Sequence, residues 1–312
     1  MARNYRQLDG VLLFDKPLAL SSNTALQHVR RLFRAEKAGH TGTLDPLATG
    51  LLPVCFGEAT KFSVALLDAD KTYRAVLCLG QTTTTGDAEG DIIAELPVDV
   101  TQSQVEEALA RFHGEILQTP PMHSALKHAG KPLYEYIRNG VTIEREQRSV
   151  TIHELLLNSF SGNRVDIAVR CSKGTYVRTL AEDIGAALGC GGHLIALRRT
   201  AIAHFDLKAG YTMPQLDAMT DAERDACILP LESLMPDIPR LQLDAVQVQR
   251  LAQGQRLGLE HGLPDGKISL HGPQGFIGIG LLAGRRLSPE RLLSDVAKQA
   301  AQAISARNIG VE

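Results

Sequence analysis

The most informative part of the sequence is the stretch GHTGTLDPLATG at residues 39–50. Its three glycines, three threonines and one proline follow no period, which predicts a loop. Within it, Asp45 precedes Pro46, and a residue before proline is biased toward extended backbone. Leu44 and Leu47 flank the aspartate and would exclude part of the water around it. The loop is therefore expected to present one fixed, partly desolvated carboxylate.

A carboxylate held in this way suits nucleophilic or acid–base catalysis. From the residues of the loop alone, an Asx-Pro turn with a purely structural Asp45 is the favoured interpretation. A glycosidase-like carboxylate pair is poorly supported, because the nearest other acids, Glu36 and Glu58, lie at a distance on either side. A metal site is also poorly supported, since His40 and Asp45 are too few ligands. The G-x-G-x-x-A pattern at residues 278–283 is followed by no helix and is interpreted as a strand.

Outward from the loop, apolar periodicity predicts a series of strands and helices. Strands are predicted at residues 11–14, 54–56, 73–79, 149–157 and 164–171, and helices after Ser21 or Ser22 and at 105–112 and 176–188. Either serine could serve as an N-cap, and Gly189 would end the last of these helices. Hairpin-like spacing among the strands predicts largely antiparallel pairing.

The 312 residues suggest about two domains. Two prolines within Met235-Pro-Asp-Ile-Pro239 precede a fresh apolar pattern, so the boundary is placed there, giving domains 1–238 and 239–312. In the second domain we expect a short helix at 244–253, strands separated by glycines, and a final helix at 289–306.

Composition excludes several classes of protein. The first apolar run, residues 11–14, is too short for a signal peptide, and no run of 18 apolar residues predicts a membrane span. The five cysteines are scattered and never form C-x-x-C, which argues against a disulfide framework or a zinc site and favours a reducing cytoplasm. Residues 1–40 carry seven Lys or Arg against three acids, a local basic excess that could bind phosphates.

A long connection at residues 120–148 is rich in Pro, Gly, His and Lys, and connections of this length are often functional. Its basic residues are interleaved with His and Tyr side chains, a mixture that suits a segment that grips RNA. They are Lys127, Lys131, Arg138, Arg145 and Arg148, among His123, His128, Tyr134 and Tyr136. Three acids temper the charge of the segment to +2.

Several motifs in a fixed order decide between these interpretations. The stretches GVLLFDKPLALSSN (10–23) and GHTGTLDPLATGLLP (39–53) resemble the two signature motifs of the TruB family of pseudouridine synthases. Lys71-Thr-Tyr-Arg74, Gly174-Thr-Tyr-Val-Arg-Thr-Leu180 and Leu197-Arg-Arg-Thr200 resemble later motifs of the family. The resemblance covers residues 8–235, and the C-terminal region more loosely resembles a PUA domain, a small RNA-binding β-barrel. One departure is His123, where the family usually has an aromatic residue.

The resemblance implies a role for each matched residue. Asp45 falls on the catalytic aspartate, which attacks the uracil ring or ribose C1′, so that the freed base rotates and reattaches through C5. Arg178 would pair with Asp45 and keep it ionised; the alternative for Arg178 is a helix-surface pair with Glu182. Tyr73 would lie against the flipped base and help to remove the C5 proton.

The remaining residues are implied to bind the substrate. Tyr176 and Leu197 would line the uracil pocket, although both could also be plain core residues. His40 would contact RNA near the flipped nucleotide, and Lys16 is assigned to RNA binding as well. No metal or organic cofactor is expected.

The fold implied is mixed α/β (α+β), a catalytic domain around a largely antiparallel sheet followed by a small β-barrel-like, PUA-type domain. The activity implied is isomerisation of uridine 55 in the T loop of tRNA, in the cytoplasm, by a monomer without an obligatory protein partner. Three alternatives remain open: a guide-RNA-dependent synthase, an RNA chaperone that performs no chemistry, and a small-molecule hydrolase that uses Asp45.

Overall fold

The computed structural model describes residues 5–296, and nineteen strands lie within that range. The strands are β1 (Gly10–Lys16), β2 (Ala38–His40), β3 (Ala48–Phe56), β4 (Lys71–Leu79), β5 (Gln81–Thr83), β6 (Ile92–Glu95), β7 (Gly114–Gln118), β8 (Lys127–His128), β9 (Lys131–Pro132), β10 (Arg148–Ser161), β11 (Arg164–Cys171), β12 (Gly192–Ile202), β13 (Phe205–Asp206), β14 (Tyr211–Thr212), β15 (Arg240–Gln242), β16 (Leu257–Gly258), β17 (Gly266–Gly272), β18 (Gly275–Ala283) and β19 (Arg286–Leu292).

Eight α-helices and three short 3₁₀ helices connect the strands over the same range. The α-helices are α1 (Ser22–Leu32), α2 (Val64–Leu67), α3 (Gln102–Ala110), α4 (Leu133–Arg138), α5 (Val177–Ala187), α6 (Met213–Ala218), α7 (Asp221–Ala226) and α8 (Ala245–Ala252), and the 3₁₀ helices are Gly57–Lys61, Leu207–Ala209 and Leu231–Leu234. Ser21 rather than Ser22 caps α1, since its side chain accepts a hydrogen bond from the Thr24 N–H.

A large sheet organises the chain from β1 to β14. Its strand order is β14-β1-β3-β12-β4-β11-β10-β7, with β13 paired to β12 and β2 paired to β3. Among the described strands of this sheet, β1 with β14 and β3 with β12 are parallel pairs, and the others are antiparallel. The prediction of a mixed α/β fold with a largely antiparallel sheet is confirmed.

Two apolar clusters fix helices against this sheet. In one cluster, Leu180 and Ile184 of α5 pack with the buried residues Leu77 and Ile167 of the sheet. The other cluster joins the apolar face of α1, which includes Val29, to buried residues of β1 and β3. Burial of these faces places the start of α5 and the start of α1 beside the same part of the sheet.

The second sheet is smaller and curls into a half-barrel, with strand order β15-β17-β18-β19-β16. The predicted boundary at residue 238 lies between the 3₁₀ helix Leu231–Leu234 and β15. Apolar contact continues across this point: the rings of Phe62 and Phe276 lie 5.7 Å apart, edge to face, and Ile279 packs into the cluster that contains Val11.

The sequence prediction was wrong for the start of the last helix and incomplete elsewhere. Residues 289–292 belong to β19, where Pro289 pairs with Gly280 at an irregularity in the ladder, a position that tolerates proline in a strand. Residues 294–296 are helical, and the part of that predicted helix from residue 297 onward lies outside the described residues. The central strand β12 was not predicted from periodicity. Among residues 5–296, no helix is both long and apolar enough to span a bilayer.

Gly50, at the end of the signature loop, is a point where the fold requires glycine. Its φ is +101°, and an added Cβ would overlap the carbonyl oxygen of Arg199 and lie 2.8 Å from the Arg199 nitrogen. Both neighbouring atoms are backbone atoms of β12, which pairs with β3 at this position, so neither can move away cheaply.

We expect Gly50→Ala to lower the free energy of unfolding by about 2 kcal/mol or more, measured by urea denaturation. The matched control is Gly162→Ala, at φ +60° with no atom within 4 Å of the added carbon. Since only the backbone conformation is strained there, the control is expected to lose about 1 kcal/mol. Equal losses in the two variants would contradict the close approach of β3 and β12.

Candidate active site

The loop that carries Asp45 is held from two sides. The buried hydroxyl of Ser22, the first residue of α1, accepts a hydrogen bond from the Leu44 N–H (2.7 Å) and donates one to the Leu44 carbonyl (2.9 Å). On the other side, the Ala19 N–H donates to the Pro46 carbonyl at 2.9 Å. The residues directly before and after Asp45 are therefore fixed by the first residue of α1 and by the segment that precedes it.

Arg178 joins this loop to two others. Its Nη2 lies 3.1 Å from Asp45 Oδ2, and its Nη1 lies 3.5 Å from Asp87 Oδ2. Nη1 also donates to the Thr85 carbonyl (3.3 Å), and Nη2 donates to the His123 carbonyl (2.6 Å). Because Arg178 is the second residue of α5, the packing of that helix fixes a single buried cation between two carboxylates.

The charge state of Asp45 reflects opposing influences. Removal from water is the largest and raises the pKa of its carboxyl group, the Arg178 cation opposes the rise, and the negative charge of Asp87 adds to it. The side chain of Asp45 nevertheless keeps 38% of its surface exposed, against 7% for Arg178 and 3% for Asp87. Asp45 is thus the member of the group that opens toward the outside.

The opening is a pocket of about 270 Å³. Five of the residues predicted to form the site line it together: Asp45, Tyr73, Tyr176, Arg178 and Leu197. Burial raises the pKa of the Tyr73 hydroxyl, which lies within the pocket wall. A carboxylate, a cation, two phenol rings and a leucine suit a planar base with polar edges.

Two residues predicted to bind the substrate, Lys16 and His40, are not part of the pocket wall. Lys16 is fully buried, and its ammonium group donates to the Pro17 carbonyl (2.9 Å) and to the Leu20 carbonyl (2.6 Å). Burial lowers the pKa of Lys16 to about 8. Lys16 therefore holds the turn whose Ala19 braces the Asp45 loop, and the expectation that it contacts RNA is corrected to this positioning role.

His40 ends β2, next to the loop, but is not part of the pocket wall. It is partly buried, burial lowers the pKa of its ring, and its buried Nδ1 has no hydrogen-bond partner among the described residues. His40 thus lies beside the pocket, where burial favours the neutral form of its ring, and its predicted contact with RNA stays a prediction.

Several of the basic residues among residues 1–40 are paired with acids or enclosed within the protein. Arg6 pairs with Asp225, and Arg34 pairs with Asp221, both acids of α7. Lys16 is enclosed, as described, and Arg3 lies outside the described residues. The sequence interpretation of a basic phosphate-binding face over residues 1–40 was too simple, because the acids that pair with Arg6 and Arg34 lie 219 and 187 residues further along the chain.

The segment at 120–148 follows directly after a residue that contacts the site. Gln118, at the end of β7 and buried, accepts a hydrogen bond from the Tyr176 N–H (3.0 Å) and donates one to the Tyr176 carbonyl (3.3 Å). Further along, Arg145 donates inward to the Pro120 carbonyl at 2.9 Å. The other four basic residues of the segment are exposed, namely Lys127, Lys131, Arg138 and Arg148.

Asp87 and Gln118 were missed at the level of sequence. Asp87 lies in QTTTTGDAEG, which was interpreted only as a polar turn, although its two acids, Asp87 and Glu89, were a signal. Gln118 precedes the long connection and carries no motif that the sequence reasoning used. Among the described residues, no group of three His, Cys, Asp or Glu side chains could hold a metal ion.

Comparison with known proteins agrees with this geometry. Residues 30–177 match the family described as TruB family pseudouridylate synthase (N-terminal domain), 178–236 match the tRNA pseudouridylate synthase B C-terminal domain, and 239–293 match pseudouridine synthase II TruB, C-terminal. The tRNA pseudouridine synthase B of Methylobacillus flagellatus is 56% identical over 290 residues, which cover 92% of this chain and 96% of the relative. That of an Azoarcus species is 55% identical and covers 93% and 96%.

This chain belongs to the TruB family of pseudouridine synthases. It is therefore an isomerase, which converts uridine in RNA to pseudouridine. Among solved structures, the TruB-type fold described above is similar to a chain of a Cbf5–Nop10–Gar1 complex, with a TM-score of 0.69, 26% identity, and coverage of 91% of this chain and 84% of that chain. A chain of an archaeal Nop10–Cbf5 complex is similar in fold, with a TM-score of 0.67, 24% identity, and coverage of 92% and 86%.

The charge of Asp87 gives the TruB-family site a testable pH dependence. An ionised Asp45 exists above its pKa, so activity that needs the carboxylate is lost as the pH falls through that pKa. Because Asp87 raises the pKa of Asp45, Asp87→Asn is expected to shift this acidic limb toward lower pH. The measurement is the single-turnover rate of pseudouridine formation between about pH 4 and pH 8.

The control is Asp68→Asn, which removes an exposed carboxylate that pairs with Lys173 at the surface. Its acidic limb is expected to coincide with that of the unsubstituted enzyme. An acidic limb that stays in place or moves to higher pH in Asp87→Asn would refute the assigned electrostatic influence of Asp87.

Proposed function

We propose that this synthase isomerises the uridine conventionally numbered 55 in the T loop of tRNA, with Asp45 as nucleophile. The observation that carries the proposal is the 3.1 Å contact between Arg178 and an Asp45 carboxylate that faces an open pocket. The relatives that are 54–56% identical are named for tRNA, which supports the substrate class. A tRNA-modifying enzyme of this kind is expected in the cytoplasm.

The substrate base must leave its stack before it can enter the pocket. C5 and C1′ are shielded while the base is stacked in a folded loop, and flipping costs a few kcal/mol. Tyr73 and Tyr176, which both line the pocket, offer aromatic surface against the flipped base, and Leu197 adds an apolar wall. Contact with these side chains would offset the cost of flipping.

The chemical step then separates the base from the sugar and rejoins it. Asp45 attacks the uracil ring or ribose C1′ and forms a covalent bond to it, and the N1–C1′ bond breaks. The base then rotates, a C5–C1′ bond forms, and the bond to Asp45 breaks, which restores the free carboxylate. C5 loses its proton and N1 gains one, so the product contains the same atoms as the substrate. This balance requires no co-substrate, and the Tyr73 hydroxyl, beside the base, is suited to help with removal of the C5 proton.

Arg178 serves this step in the ground state. Its cation opposes the effect of burial on Asp45 and favours the ionised, nucleophilic form. Its contacts to the Thr85 and His123 carbonyls hold the guanidinium in place when Asp45 becomes bound to the substrate. Arg178 is thus both the electrostatic partner and the fixed reference point for the nucleophile.

The nucleophile is tested by Asp45→Asn, which keeps the shape of the side chain and removes its charge. We expect pseudouridine formation to fall by about 10⁴-fold or more, as for a removed nucleophile, while binding of a T-stem-loop RNA is largely kept. Tritium release from C5-labelled RNA and a filter-binding assay measure the two quantities. Full residual activity would refute the assignment, and an unsubstituted protein that binds RNA without turnover would instead favour an RNA chaperone.

The stand-alone mode of action is tested with a bare T-stem-loop transcript and purified protein. We expect modification without added RNA or protein, as the action of a monomer. The similar solved chains come from complexes with Nop10 and Gar1, so a dependence on partners is the competing outcome. Turnover that appears only when a guide RNA is added would reject the stand-alone proposal.

A further inference from the structure

Arg199 is a buried cation that the mechanism above does not use. It is 1% exposed, lines the pocket, and follows Arg198 in the middle of β12. Among the described residues no carboxylate pairs with it. Its neighbour across the sheet is Tyr73, which lines the same pocket, and each of the two side chains opposes the effect of burial on the pKa of the other. Burying a charge without an opposite charge costs free energy, so the hydrogen bonds of the Arg199 guanidinium must offset that cost.

Two hydrogen bonds of the Arg199 side chain connect the two flanks of the signature loop. Its Nε donates to the Leu51 carbonyl at 2.7 Å, and its Nη2 donates to the Gly42 carbonyl at 3.1 Å. Gly42 lies three residues before Asp45, and Leu51 lies six residues after it. One planar guanidinium therefore closes the base of the loop that presents the nucleophile.

The backbone of Arg199 repeats this connection. In the sheet, Arg199 is the residue of β12 that lies opposite Gly50 of β3 on one side and opposite Tyr73 of β4 on the other. Both its main chain and its side chain thus link the Asp45 loop to Tyr73. An arginine fork has five donors in fixed directions, whereas lysine offers a mobile point charge.

We infer that Arg199 is a positioning residue for the reaction, which holds the Tyr73 hydroxyl at a fixed place relative to the Asp45 loop. It acts through these two groups and does not itself contact the reacting atoms. The inference rests on the proposed function, because it gives Tyr73 and Asp45 their places on either side of the base. A purely structural Arg199 would stabilise the fold without setting the rate of the chemical step.

The test combines Arg199→Lys with Tyr73→Phe in the full-length protein, on a C5-tritiated T-stem-loop RNA. Arg199→Lys keeps the charge and loses the fork, so we expect kcat to fall about 10²-fold, as when reacting groups are misplaced by about 1 Å. KM for the RNA is expected to stay within about threefold. In the Tyr73→Phe background, which already lacks the hydroxyl, the same substitution is expected to lower kcat by less than about tenfold.

The matched control is Arg74→Met, next to Tyr73 on β4, whose exposed side chain pairs with Asp166 and faces away from the pocket; its kcat is expected to be unchanged. The inference is overturned if Arg199→Lys keeps kcat within threefold, or if it loses the same factor in both backgrounds. Should Arg199→Lys fail to fold, the Tyr73→Phe variant decides alone. An unchanged kcat in Tyr73→Phe would show that the Tyr73 hydroxyl needs no positioning by Arg199. An inactive unsubstituted protein would instead reject the proposed function.

Discussion

A carboxylate is nucleophilic while it is ionised, and removing it from water opposes ionisation. The site depends on how the chain resolves this conflict between Asp45 and its surroundings. Arg178 supplies the opposite charge, and because it begins a helix buried against the large sheet, the charge cannot move away. The second carboxylate, Asp87, also pairs with Arg178, and its negative charge raises the pKa of Asp45, against the effect of Arg178. The balance leaves a carboxylate that is ionisable yet poorly hydrated.

The parts of this arrangement that could be predicted from sequence have local causes. The strand at 11–14, the helix after Ser21 and the helix at 176–188 follow from periodicity and capping, which act over a few residues. The proximity of Asp45 and Arg178 did not follow from such patterns. It was expected because ordered motifs resemble a family, and the structure places the two side chains in contact.

The features that sequence reasoning missed are set by pairing between distant segments. β12 contains LRRT, whose two arginines hide its apolar alternation, and its neighbours β3 and β4 lie more than a hundred residues away. Lys16 shows the same limit, because its surroundings are set by the fold. As a basic residue in a basic region it suggested RNA, but the carbonyl groups around it make it an internal support. Charge along a sequence does not show which charges are already neutralised or enclosed.

The contact between Arg178 and residue 123 has a consequence for substitution at that position. The guanidinium binds the main-chain carbonyl of His123, and every residue type offers the same carbonyl. The hydrogen bond to Arg178 therefore does not depend on the side chain at this position, although the His123 ring lies close enough to Asp45 to lower the pKa of that carboxyl group. A substitution at position 123 would therefore keep this hydrogen bond while it alters the electrostatic environment of Asp45.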